Sequence, residues 1–210
     1  MSRSQALDVF QHRFVPRAPN GAPFTLLLLH GAGGDENDLL PLGSDLAPGA
    51  AILSPRGRVL ENGMPRFFRR LREGVFDEDD VRKRAQALSE FVEEARAEHG
   101  LGPVTAVGFS NGANIASAMM LLHPRTLAGG VLLAPMVPLV PDPLPDLSHA
   151  SAFLGAGRND PLVPVPEAER LAALFTRAGA DVTLHWHPGG HAIDRSIVDA
   201  ARIWLAAHAV

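Results

Sequence analysis

Three residues of this chain stand where acyl-transfer chemistry would need them. Ser110 is the centre of Gly108-Phe109-Ser110-Asn111-Gly112, a G-x-S-x-G segment. It follows the apolar run Val104–Phe109 and opens a helical pattern, so the segment reads as a strand–turn–helix elbow. A serine in so tight a turn needs minimal neighbours two positions to either side, and both are glycine. The plain alternative for Ser110 is an ordinary helix N-cap. A serine nucleophile requires a base, and the base requires an orienting acid. On an elbow of this kind the chain order is serine, then acid, then histidine. Asp160 lies just after the apolar run 152–154, in Gly157-Arg158-Asn159-Asp160-Pro161. His191 lies just after the run 182–186, in Pro188-Gly189-Gly190-His191. Both are expected beyond a strand's carboxyl end, on the sheet edge that carries Ser110. Asp160 also suits a turn before proline. Asp142, Asp146, Asp181 and Asp194 do not follow a strand end in this way and are weaker candidates for the acid.

A developing oxyanion needs unpaired N–H donors. Leu29-His30-Gly31-Ala32-Gly33-Gly34 follows the apolar run 24–29 and is glycine-rich enough to expose them. The backbone N–H groups of Ala32 and Asn111 are assigned to the oxyanion hole, with His30 propping the turn. A phosphate-binding turn is the competing reading, but the segment lacks the Walker lysine and is not G-x-G-x-x-G. His185, His187 and His191 form H-x-H-x-x-x-H. No carboxylate stands near them at a convincing ligand spacing, so His185 and His187 read as packing or surface residues and no metal is expected. His12, His99, His123, His149 and His208 read as surface or helix-end residues.

Arg56, Arg58, Arg66, Arg69, Arg70 and Arg72 crowd one long connection, 55–76. They either recognise a substrate carboxylate or phosphate or pair on the surface with the acids at 77–80. The second reading is the more ordinary. Phe67 and Phe68 are pocket wall or core. Met136, Leu162 and Val163 are candidates for an apolar channel beside the serine.

The elements that must position these residues alternate along the chain. Apolar runs at 24–29, 50–53, Val104–Phe109, 127–133, 152–154 and 182–186 suit buried parallel strands, with a weaker strand at 12–16. Helical patterns lie between them at 35–46 (interrupted at Pro41), 77–99, 111–123, 167–178 and 192–207. The clearest is 77–99, where Val81, Ala85, Leu88, Val92 and Ala95 make one apolar stripe behind an acidic first turn. The expectation is an α/β fold with a mostly parallel central sheet and helices on both faces, one domain over 1–210. The segment 135–149, with five prolines, is either a pocket rim or a homodimer contact. Of 210 residues, 46% are hydrophobic and 20% charged, which excludes a largely disordered chain. The net charge of −4 argues against nucleic acid as a partner. The absence of cysteine excludes disulfides and a thiol nucleophile. No apolar run approaches the ~20 residues of a membrane helix, and the first ten residues lack a signal-peptide core, so a cytoplasmic protein is expected.

These residues resemble the phospholipase/carboxylesterase group of α/β-hydrolases, which includes acyl-protein thioesterases. The resemblance spans nearly the whole chain. It rests on Leu29-His30-Gly31, on Gly108-Phe109-Ser110-Asn111-Gly112-Ala113-Asn114, on Asn159-Asp160-Pro161 and on Gly190-His191. The stretch from Val59 to Leu71 is similar to one found in bacterial carboxylesterases of this group, some of them linked to quinone or hydroquinone resistance. The resemblance implies an α/β-hydrolase fold without a large lid domain, no cofactor, and Ser110, Asp160 and His191 as the catalytic triad. Acyl-protein thioesterases lack the 59–71 pattern, which weighs against protein depalmitoylation. Dienelactone hydrolases share the fold but use a cysteine, absent here. The function expected is hydrolysis of small or medium carboxylic esters through an acyl-enzyme. An acyl thioesterase or lysophospholipase with the same triad, and a non-catalytic binding protein, are the alternatives.

Overall fold

The computed structural model describes residues 7–208. A 3-10 turn at Leu7–Val9 leads into β1 (His12–Val15), β2 (Thr25–Leu29), α1 (Leu40–Leu46) and β3 (Ala51–Pro55). Four short strands follow: β4 (Val59–Glu61), β5 (Met64–Arg66), β6 (Arg70–Arg72) and β7 (Val75–Phe76). Then come α2 (Glu78–His99), β8 (Val104–Phe109), α3 (Asn111–Leu122) and β9 (Gly129–Leu133). The chain closes with β10 (Ser151–Gly157), α4 (Val165–Arg177), β11 (Asp181–His187) and α5 (Arg195–His208).

Seven strands form one sheet in the order β1-β3-β2-β8-β9-β10-β11. β1 pairs antiparallel with β3 at one edge, and every other neighbouring pair is parallel. Side chains alternate across the sheet, so a strand covered on both sides must be apolar throughout. In β2, Leu27 and Leu29 join the core under α2, α3 and α4, while Leu26 and Leu28 join the core under α1 and α5. Because the central strands run the same way, the carboxyl ends of β2, β8, β10 and β11 share one edge. An open α/β sheet gathers its ligand crevice there.

Local rules account for both ends of the longest helix. Asp77 caps α2 by accepting from the Asp80 N–H, and Gly100, at φ 62°, ends it in the left-handed conformation. All five residues of its expected stripe are buried.

Two expectations need correction. Residues 36–39 form a turn, and the helix begins at Leu40. Pro41 stands in its first turn, where a missing N–H costs nothing, so proline opens this helix instead of interrupting it. The connection 55–76 is built from two hairpins, β4–β5 and β6–β7. The first turns at Asn62 (φ 53°) and Gly63 (φ 80°), an Asn-Gly pair with the two positive φ values of a type I′ turn. That dipeptide was the available signal. No helix among the described residues is long and apolar enough to cross a membrane.

Candidate active site

Ser110 sits between β8 and α3 with φ 52° and ψ −113°. A non-glycine residue there stores about 1–3 kcal/mol, which the surrounding structure must hold. Its N–H donates to Leu133 O at 2.8 Å, and its carbonyl accepts the Asn114 N–H at 3.0 Å. The flanking glycines have a steric cause. A Cβ on Gly108 would meet the Gly112 carbonyl at 2.6 Å, and one on Gly112 would meet Leu29 O at 1.9 Å.

Asp160 and His191 reach Ser110 from the ends of β10 and β11, which are neighbours in the sheet. The two loops are tied together: Arg158 N–H donates to His187 O, and Asn159 Nδ2 donates to Pro188 O at 2.6 Å. Asp160 Oδ1 accepts the N–H groups of Leu162 and Val163, which leaves Oδ2 aimed at the histidine. His191 Nδ1 stands 2.7 Å from that oxygen, and its Nε2 stands 2.9 Å from Ser110 Oγ. An ionised Asp160 only accepts, so the proton belongs on Nδ1 and Nε2 is free to accept from the serine hydroxyl. The Asp160 carboxylate is 1% exposed and the His191 ring 16%. This chain of hydrogen bonds can pass the serine proton to imidazole and stabilise the imidazolium that results.

The expected oxyanion donors lie on the same pocket wall, at Ala32 and Asn111. Within the 30–34 turn, Gly33 N–H donates to Pro65 O and Gly34 N–H to Gly31 O. Ala32 N–H takes part in neither. Asn111 is the first residue of α3, upstream of the intrahelical bond that begins at Asn114 N–H.

His30 ties this turn to the connection between β3 and β4, in keeping with the propping role expected of it. Its Nδ1 bonds Gly31 O at 2.6 Å and its Nε2 accepts the Gly57 N–H at 2.9 Å. Both bonds together require the neutral ring. Burial lowers the His30 pKa below its ordinary 6.5. The sign follows. Below about 6.5 the unfolded chain binds a proton that the folded His30 refuses, so the stabilisation is complete above 6.5 and is lost as pH falls towards the depressed folded value. Urea melts between pH 7.5 and 5 are expected to show stability falling with pH, and His30→Gln is expected to flatten that slope. An unchanged slope in the variant would refute the assignment. His123, also lowered by burial, adds a slope of the same sign that the difference cancels.

The pocket in front of Ser110 has a volume of about 260 Å³. Of the sequence candidates, Met136, Leu162 and Val163 line it. Phe67 does not. It is 3% exposed, packs 4.7 Å from the His30 ring, and belongs to the core behind the pocket, as does Phe68. In 135–149, Val137, Leu139 and Leu147 turn into the core, Met136 faces the pocket, and Val140 stays exposed. His187 is buried, with its Nδ1 accepting the Gly189 N–H, and His185 stacks on Phe153.

The sequence reading missed how the pocket's cover is attached. Asn111 Oδ1 accepts the Phe67 N–H and Asn114 Oδ1 accepts the Met136 N–H, each at 2.7 Å. Residues three apart share a helix face. Two asparagines on α3 therefore staple the hairpin segment and the 135–149 segment over the serine. Their spacing was visible, but the partners are distant in sequence. The arginines of 55–76 also divide. Arg56 pairs with Asp35 and Glu36, and Arg69 with Asp77 and Asp80. Of the six arginines in 55–76, only Arg69 is paired with the acids at 77–80, and Arg82 and Arg84 of α2 share those acids. Arg66 and Arg70 line the pocket and share Glu61, at 3.0 and 2.9 Å.

A mostly parallel sheet with a strained serine on a central strand-to-helix turn is an α/β-hydrolase fold. Residues 12–209 match the family model described as phospholipase/carboxylesterase, and the chain belongs to that family of hydrolases. MhqD of Bacillus subtilis (strain 168) is 47% identical over 181 residues, 85% of this chain and 90% of the relative. The Bacillus cereus carboxylesterase structure superposes with a TM-score of 0.92 at 42% identity, covering 99% of this chain and 100% of its own. The protein Atu2452 of Agrobacterium tumefaciens str. C58 superposes with a TM-score of 0.88 at 38% identity, covering 97% of this chain and 99% of its own.

Proposed function

We propose that the protein is a serine carboxylesterase for small carboxylic esters. The observation that carries this reading is the unbroken Ser110–His191–Asp160 hydrogen-bond chain opening into one compact pocket. His191 Nε2 takes the Ser110 proton as Oγ attacks the ester carbonyl. The Ala32 and Asn111 N–H groups receive the oxyanion, and Asp160 stabilises the imidazolium. The tetrahedral intermediate collapses, His191 gives the proton to the departing alcohol, and an acyl-enzyme remains on Oγ. Water, deprotonated by the same histidine, then releases the carboxylic acid.

Pocket size supports short acyl chains. About 260 Å³ lies below the ~300–1,000 Å³ of sites that enclose drug-sized ligands. Hydrolysis of p-nitrophenyl esters from acetate to palmitate is expected to peak at short chains. A peak at palmitate would instead favour the lysophospholipase or thioesterase reading.

A further inference from the structure

The cavity that Ser110 lines is also lined by two guanidinium groups, and ester hydrolysis itself uses neither. Arg66 is 5% exposed yet lines the cavity beside Ser110. Burial lowers its pKa against the pull of Glu61, but an arginine stays charged. Arg70, about a third exposed, lines the same cavity. One carboxylate faces both: Glu61 Oε1 accepts from Arg70 Nε at 2.9 Å, and Glu61 Oε2 lies 3.0 Å from Arg66 Nη1 as an ion pair without a hydrogen bond. Glu61 itself does not line the cavity. The wall thus presents two cations backed by a single anion, an excess of one positive charge in a half-closed space. Glu73 stands at the exposed rim, where solvent weakens its offset. Asn111, on the same cavity, has a buried Nδ2 without a hydrogen-bond partner. A buried donor with no acceptor is costly unless a ligand supplies one.

A clamp between the two hairpins would need only one guanidinium per carboxylate. A ligand carrying one negative charge balances the second, and a planar carboxylate matches the guanidinium fork. Resting on the esterase reading above, we infer that Arg66 and Arg70 form an anion subsite of the Ser110 pocket and that the preferred substrates are esters bearing a free carboxylate, such as monoesters of short dicarboxylic acids. The ester carbonyl sits at Ser110, the carboxylate sits at the arginine wall, and the small cavity requires a short link between them.

The test compares methyl monoesters of malonic to adipic acid with neutral esters in which an isopropyl group replaces the carboxylate, for example methyl hydrogen glutarate against methyl 5-methylhexanoate. At the best chain length, kcat/KM is expected to favour the anionic ester by ~10-fold or more. In Arg70→Gln, which removes the excess charge and leaves Glu61 to Arg66, that ratio is expected to fall to about one. Ser110-dependent turnover with no anionic preference at any length overturns the inference and leaves the esterase reading standing. Absence of turnover for every ester, from folded protein, overturns the esterase reading instead. Calorimetric titration with the free dicarboxylates then decides the subsite without turnover. Binding that weakens ~10-fold or more in Arg70→Gln supports it, and no binding by the unmodified protein up to about 20 mM overturns it.

Discussion

Ser110→Ala is expected to lower ester turnover by roughly 10⁶-fold, the scale seen when a triad serine is removed. Alanine cannot form the acyl-enzyme, so only the oxyanion donors and substrate binding remain. The fold is expected to persist. Alanine keeps the Cβ that already fits the elbow, and the side chain loses one hydrogen bond, to His191. The unfolding midpoint is expected to stay within ~2 °C of the parent, which differential scanning calorimetry reads directly. A serine-directed phosphonate should label the parent and not the variant. Undiminished turnover from folded Ser110→Ala would end the assignment of this serine.

Asp160→Asn is expected to lower kcat by about 10⁴-fold with little change in stability. The reason is a proton on the wrong nitrogen. The asparagine carbonyl can keep the bonds that Oδ1 now makes to the Leu162 and Val163 N–H groups. Its amide N–H₂ then faces His191 Nδ1, which must accept. The imidazole proton moves to Nε2, where it blocks acceptance from the Ser110 hydroxyl. Asp181→Asn provides the comparison. Asp181 is largely exposed and lies 3.6 Å from His208, so its loss should leave kcat within about twofold. If Asp181→Asn caused the large loss and Asp160→Asn did not, the acid would be misassigned.

The Ser110 elbow was legible in sequence because the apolar strand run, the turn and the helical pattern that mark it are contiguous. Gly108 has a local cause, since a Cβ there would strike the Gly112 carbonyl, whereas Gly112 makes room for Leu29 O at the end of β2, a neighbour that only the folded sheet supplies. Asp160 and His191 were legible for a related reason. Parallel strands deliver their carboxyl ends to one edge, so position after an apolar run located both residues before any distance was known. Helix α2 was legible by period and caps. The hairpins between β3 and α2 were harder to read. Strands of two or three residues have too little alternation to show a period, and the Asn62-Gly63 turn was the only strong local mark.

What the sequence by itself determined is thus the α/β framework, the elbow, and the order serine, acid, histidine along one sheet edge. They are marked by steric and periodic rules that act over a few residues, although the second glycine of the elbow also answers to Leu29 O of β2. Only the tertiary structure decided which of the look-alike side chains face the serine. Six arginines in 55–76 are equivalent as letters. Arg56 found Glu36 twenty positions away, whereas Arg66 and Arg70 came to line the pocket. Phe67 went to the core, and its N–H found Asn111 forty-four positions away. Such partnerships are set by where the packed sheet and helices leave room for a charge or a ring. That depends on the whole chain at once and leaves no pattern in any short stretch of it.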